Sequence, residues 1–474
     1  MHDNLIGGDW VGSSSLLSNI NPSDITENVG NYAKASQADV ARAAEAARAA
    51  FPAWRNATAQ LRADILAAAG EEILARRDEL GALLAREEGK VLAEAIGEVV
   101  RAGRIFRFFA GEAVRTPGEI LPQVRLGVDV EVTREPVGVV GIITPWNFPI
   151  AIPAWKIAPA LAFGNCVLFK PSELTPAMGW MLTDILLRAG LPRGVLSLLM
   201  GEGRDVGAAL VETVDAISFT GSVQTGHSIM AAASQRMPKL QLEMGGKNPL
   251  IVLDDADLTL AAEVAANGAF GQTGQRCTAS SRLIVTAGIH DRFVAALQER
   301  LEAFVVDNAM KPGSQIGPVI DQRQLDKNQN YIEIAKSEGA KVYGGELLQR
   351  DTPGFYMRPC LFLETNSGMR INREEIFGPI ASVVRAANYE EALAIANDTE
   401  YGLSAGICTT SLKYAQHFRR HVEAGLAMVN LPTAGLDYHA PFGGTKASSF
   451  GPREQGSYAV DFYTVTKTAY ISPG

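Results

Sequence analysis

The chain has 474 residues, 47% of them hydrophobic, and a formal charge of −9 at pH 7 from 43 basic and 52 acidic residues. The charge is spread along the sequence with no tail or basic stripe, which argues against nucleic acid or anionic membrane as a partner. The length suggests roughly three domains; apolar runs such as 137–143 and 195–200 fall short of the ~20 residues a spanning helix needs, and the start MHDNLIGGDW has no leader pattern, so a cytoplasmic location is the expectation.

Residues 37–115 are rich in Ala, Glu, Arg and Leu at helical spacing and predict a run of helices broken near Pro52 and Gly89. Beyond Pro117 the text turns β-branched, and 118–136 reads as extended strands before a buried one at VGVVGIIT. From 137 onward apolar strands alternate with helices: a helix around 151–163, the strand NCVLFKP, a helix around 176–189, GVLSLLM, a helix around 204–212, and AISFTG. That order predicts βαβ units and a parallel, doubly wound sheet. A second cycle begins at NPLIVLDD, passes through a helix at 258–271 and the strand RLIVT, and continues past 425. The fold class expected is therefore α/β with two doubly wound domains. The segment 458–470 reads as an edge or exchanged strand that a monomer would leave unpaired.

The four cysteines Cys166, Cys277, Cys360 and Cys408 are far apart, and with six histidines and no HExxH pattern neither disulfides nor a metal site is expected. Chemistry must then come from thiol, carboxylate, amide and ammonium groups. Cys277 in FGQTGQRCTASSR follows a helix and two glycines that permit a tight turn. A lone cysteine is usually a small buried hydrophobe, and as a nucleophile it needs a base or dipole to activate it. Glu243 in QLEMGGKNP ends an apolar strand; by itself it reads more readily as a surface residue before a turn, while beside two glycines and partly desolvated it suits a base for water. Asn147 in TPWNFP follows the buried strand, where its neutral NH₂ could stabilise an oxyanion without pairing with a thiolate. Lys170 in VLFKPSELTP stands at a strand end, where open α/β sheets bind ligands. SFTGSVQTG supplies a helix start whose amides could hold a phosphate, although it is not GxGxxG.

Together TPWNFP, KPSELTP, FTGS with LEMGGK, GQRC, and EEIFGP with PFGG resemble the aldehyde dehydrogenase superfamily, in order and from IGGDW to the end of the chain. The resemblance implies Cys277 as nucleophile, Glu243 as general base and Asn147 as the side-chain half of an oxyanion hole. It implies Lys156 and Glu454 as a proton path, although ASSFGPREQG is one residue longer than the common spacing, which weakens Glu454. For a bound NAD, with NADP as the second choice, it implies Thr144, Trp146, Lys170, Ser172, Glu173, Gly221, Ser222, Gly245, Glu375 and Phe377. Glu173 would accept bonds from ribose hydroxyls and repel a 2′-phosphate, which favours NAD. The implied domains are a cofactor-binding unit (1–117 and 137–245), a catalytic unit (246–430), an oligomerisation element (118–136 and 455–474) that pairs subunits into dimers or tetramers, and a substrate-side loop (431–454).

TASSRLIVTAGIHDRF, RINREEIFGP, ICTTSLKYAQHF and NLPTAGLDYHAPFGG resemble the branch that oxidises 2-oxoglutarate semialdehyde. A substrate with a distant carboxylate needs a cation or several donors in its tunnel. Arg101, Phe148, Trp155, Arg276, Leu436 and Phe442 are the residues expected there, although an arginine placed as Arg101 is more often a solvated helix residue. Trp155 occupies the place of an arginine in many succinate semialdehyde enzymes, which counts against that substrate; succinate or glutarate semialdehyde remains the alternative. A silent binding relative would lack the nucleophile or base, and an enzyme acylating coenzyme A would not need Glu243.

Overall fold

The computed structural model describes residues 1–472. The helical run begins at Gln37–Arg55, where the Ser36 hydroxyl accepts from the Asp39 amide and the Asp39 carboxylate accepts from the Ser36 amide. This reciprocal cap satisfies two amides that the first turn leaves free. The break expected near Pro52 falls just beyond it: the helix continues through Pro52 to Arg55, and the next begins at Ala59. Pro52 lies in the last turn, the one backbone bond it removes belongs to the exposed Arg48, and the buried Ala47 and Trp54 pin the helix on either side. The break at Gly89 is real: φ is +88° there, ending the helix Arg77–Glu88, and an added Cβ would also meet Pro22 and Pro318 at 2.9 and 2.8 Å. The expected helix at 204–212 is a π-turn, Gly203–Gly207, followed by the short helix Ala208–Val211.

Two large sheets follow. The first runs, in spatial order, Asp9–Val11, Asn4–Ile6, Leu196–Leu198, Cys166–Lys170, Val139–Ile143, Ala216–Thr220, Lys239–Glu243 and Ser449–Phe450. Its central strands are parallel, while the N-terminal strands and Ser449–Phe450 close its two edges antiparallel. The second runs Lys341–Gly344, Cys360–Thr365, Ile380–Ala386, Ser280–Thr286, Asn248–Val252, Ser404–Cys408 and Leu426–Val429, parallel except at its first pair. Helices cover both sheets, so the architecture is two doubly wound α/β sheets with a small β element beside them. That element is antiparallel: Thr464–Ile471 pairs along Asp129–Pro136, which also pairs with Glu119–Leu121. It leaves Ile120, Val124, Leu126 and Tyr470 exposed. Among the described residues no helix is long and apolar enough to cross a membrane.

The first sheet's central strand has a glycine where a side chain would otherwise pack. A Cβ on Gly141 would lie 2.0 Å from Leu210 Cδ2 and 3.1 Å from Val214 Cγ2, so the short helix Ala208–Val211 can settle on the sheet only over a bare backbone. Replacing Gly141 with Val should overpack this contact at a cost of about 1–3 kcal/mol. Thermal unfolding should show a melting point several degrees lower, and an unchanged melting point would contradict the packing account.

Candidate active site

The two sheets are joined by the six residues from Glu243, the last of one strand, to Asn248, the first of the next. Their sequence explains the local fold. A Cβ on Gly245 would fall 2.3 Å from Glu375 Oε2, and one on Gly246 would fall 2.9 Å from the Cys277 carbonyl oxygen. Only bare backbone lets the EEIFGP segment and the cysteine loop approach from opposite sides. Glu375 Oε1 accepts from the Gly246 amide at 2.9 Å. Asn248 Nδ2 donates to the carbonyls of Cys277 and Ala279 at 2.7 and 2.9 Å.

The cysteine loop has an uncommon backbone. Gln272, Thr273 and Gly274 take φ values of 52°, 58° and 66° in succession. At Gly274 a Cβ would strike the Gly378 carbonyl at 2.1 Å. Asn147 Nδ2 donates to the Gln275 carbonyl at 2.9 Å, which brings the amide to the residues just before Cys277. Strained left-handed residues of this kind persist where surrounding structure over-determines them, and they concentrate at functional sites.

Cys277 lies in the wall of a cavity of about 340 Å³. Arg101, Phe148, Trp155, Arg276, Leu436 and Phe442 line the same cavity, so all six residues expected around the substrate converge on the thiol. Trp155 and Phe442 pack with ring centroids 5.6 Å apart. Arg101 stands over the Trp155 ring at 5.6 Å and donates to Gln455 Oε1 at 3.1 Å, while its buried Nε has no partner. Arg276 turns its guanidinium against Gly271 and donates to the Asn267 carbonyl.

Electrostatics oppose charge on both reactive groups. Burial pushes the Cys277 thiol up to about 12, with the carboxylates of Glu375 and then Glu243 adding to the shift. Burial first, and the charge of Glu454 second, hold the Glu243 carboxyl well above the usual carboxylate range; a hydrogen bond from Ser449 Oγ at 2.6 Å opposes the shift. Glu454 forms a buried ion pair with Lys156, which also donates to Ser218 Oγ at 2.8 Å. Trp155 Nε1 donates to the other oxygen of Glu454 at 2.7 Å. The extra residue after PFGGTK does not displace Glu454, because main-chain bonds of 2.7 and 2.8 Å pin it opposite Phe442.

A second opening, of about 730 Å³, lies at the carboxyl ends of the first sheet and is lined by Ile143, Glu173, Gly207, Thr225 and neighbours. The buried Lys170 donates to Glu173 Oε2 at 3.3 Å and to the Pro171 carbonyl at 3.0 Å. Ser172 accepts from the Leu174 amide. Ser222 caps the helix Val223–Ala233, and Gly221 is bare where a Cβ would fall 2.5 Å from the Phe219 ring. The buried hydroxyls of Thr144 and Thr220, at two neighbouring strand ends, have no partner. Trp146 meets Phe377 edge to face at 5.5 Å, and Phe377 holds a left-handed φ of 66°.

Several participants carried no sequence signal. Lys90, Glu98, Asn248, Ser449 and Lys327 are ordinary residue types in ordinary surroundings, and only the fold brings them to the site. Lys247 and Lys327 both face Glu375; burial first, then the Arg282 charge, draw the Lys247 ammonium down to about 7.

This geometry agrees with what known proteins share with the chain. A model of the aldehyde dehydrogenase family matches residues 10–469. An alpha-ketoglutaric semialdehyde dehydrogenase of Bacillus subtilis is 44% identical, covering 99% of this chain and 98% of its own length. A 2,5-dioxopentanoate dehydrogenase of Saccharolobus solfataricus is 41% identical over 97% of each. Among solved structures, a betaine aldehyde dehydrogenase from Staphylococcus aureus in complex with NAD+ superposes with a TM-score of 0.97 at 34% identity, covering 100% of this chain and 95% of that one. A thiol, an amide and a carboxylate meeting where two doubly wound sheets join, in a chain matched nearly end to end, mean that this protein belongs to the aldehyde dehydrogenase family.

Proposed function

We propose that the protein oxidises 2-oxoglutarate semialdehyde to 2-oxoglutarate with NAD, through a thioester on Cys277. The observation that carries the reading is the single cavity that Cys277 lines together with Arg101, a cation of the kind an acidic semialdehyde requires. The relatives named for this substrate support it.

Residue roles follow from placement. Cys277 Sγ bonds to the aldehyde carbon as its proton passes to the Glu243 carboxylate, which releases it by way of Lys156 and Glu454 before the second stage, and the former carbonyl oxygen becomes an oxyanion. Asn147 Nδ2 and the Cys277 amide donate to that oxygen; a neutral donor suits a site where a cation would trap the thiolate. Bound NAD supplies the acceptor for the hydride that this carbon must lose. Glu243 then takes a proton from water as the water oxygen bonds to the thioester carbon, the C–S bond breaks, and the acid leaves. Lys156 and Glu454, at the rear of Glu243, offer a route for that proton. The dinucleotide would enter by the second opening, which Glu173 lines; Lys170, Ser172 and Glu173 would hold the adenosine ribose, Gly221 and Ser222 the pyrophosphate, and Thr144, Trp146, Gly245, Glu375 and Phe377 the nicotinamide half. The unpartnered Thr144 and Thr220 hydroxyls are the kind of orphaned group such a ligand satisfies. Glu173 favours NAD over NADP.

On this reading 1–117 and 137–245 bind the cofactor, 246–430 carry the nucleophile, 431–454 close the substrate side, and 118–136 with 455–474 join subunits. A homodimer or homotetramer in the cytoplasm accords with the exposed apolar residues on the small sheet; light scattering that finds only monomer would contradict it.

Cys277→Ala should abolish oxidation, and Asn147→Ala should slow it by about 10² to 10³. Unchanged turnover in either would refute the assignment. Arg101→Ala should raise KM for acidic semialdehydes far more than for neutral aldehydes of equal length, and equal effects would remove Arg101 from the substrate site. Because Glu243 is held above the usual carboxylate range, its basic form is lost as pH falls through that raised value, and thioester hydrolysis should fall with it. In Glu243→Gln this acid limb should vanish from the rate of hydrolysis; a limb that persists would assign it to another group.

A further inference from the structure

The loop bearing Asn147 is held by Glu98, on the helix Leu92–Ala113, and by Lys90 just before that helix, two residues to which the reaction scheme gives no part. Lys90 and Glu98 form an ion pair with side chains 0% and 1% exposed, Nζ to Oε2 at 2.5 Å. Lys90 Nζ also donates to the Asn147 carbonyl at 2.8 Å and stands 4.1 Å from the Phe148 ring centroid. The second oxygen, Glu98 Oε1, accepts from the amides of Ile150 and Ala151, each at 3.1 Å. These amides open the helix Ala151–Ala162, whose first turn has no side-chain cap of its own. Two side chains thus grip Asn147, Phe148, Ile150 and Ala151 at once. The remaining charges about Lys90 are the carboxylates of Glu88 and Glu94.

We propose that Lys90 and Glu98 are positioning residues for the oxyanion donor: through the Asn147 carbonyl and the first turn of the following helix they fix where the Asn147 amide points. The inference rests on the thioester reading above. Burying an ion pair costs desolvation that a well-packed apolar pair avoids, so stability alone does not account for it. The charged pair provides what an apolar pair could not, directional contacts to one carbonyl and two amides of the same loop. With its backbone fixed there and Nδ2 donating to the Gln275 carbonyl, the Asn147 amide has one remaining N–H in a set direction. Misplacement of a catalytic group by about 1 Å can cost 10² in rate.

The test is a double-mutant cycle of Lys90→Met and Asn147→Ala, read by NAD-linked propanal oxidation and by NAD-free hydrolysis of p-nitrophenyl acetate. Both reactions form an oxyanion on a Cys277 adduct, so a wild type that cleaves the ester but oxidises no aldehyde fails the functional reading while the cycle still reports on the loop. Lys90→Met should lower kcat at least about ten-fold with little change in KM, and less than about two-fold when Asn147 is already Ala. An equal fall in both backgrounds, or no fall, overturns the proposal. Glu98→Gln, which keeps the shape and removes the charge, takes the place of Lys90→Met should that variant prove insoluble. A crystal structure of the variant reads the same point without activity: the Asn147 amide should leave the Gln275 carbonyl, and an amide still seated there overturns the proposal.

Discussion

Everything at this site depends on how closely two backbones can approach the joint between the sheets. Glu243 closes one sheet and Asn248 opens the other, and the two glycines between them admit the Glu375 carboxylate on one side and the Cys277 loop on the other. A methyl group at either glycine would drive apart the parts that must meet.

Around this joint the protein surrounds its reactive groups with low-dielectric packing and with carboxylates. Burial pushes the Cys277 thiol up to about 12 and holds the Glu243 carboxyl above its ordinary range, so the site disfavours charge on both groups. A carboxyl shifted in that direction is a stronger base toward water than an exposed one, which suits the second stage of the proposed scheme. The arginines answer the opposite need. Arg101 and Arg276 are themselves partly tied, to Gln455 and Asn267, so they line the cavity in fixed positions.

The alternation of strands and helices after residue 137 was legible because buried parallel strands need continuous apolar runs and their crossovers need helical spacing. The roles proposed for Cys277, Glu243 and Asn147 rest on resemblance, since nothing in three separated motifs dictates that the Asn147 amide reaches a carbonyl two residues before Cys277. Pro52 marked the end of its helix to within three residues, the last turn running on to Arg55 with Trp54 buried beneath it. A count of residues before Glu454 could not reveal the paired main-chain bonds to Phe442 that hold it. Lys90, Glu98 and Asn248 left no trace at all, for their importance lies in what they hold, and that is written in the fold.

The most direct test of the account is to trap the covalent intermediate. Glu243→Gln mixed with NAD and 2-oxoglutarate semialdehyde, quenched in acid and digested, should carry the acyl group of the product on the peptide containing Cys277. Cys277→Ala treated in the same way should carry none. An acyl group on any other residue, or turnover to product without an adduct on Cys277 at any time, would contradict the central claim.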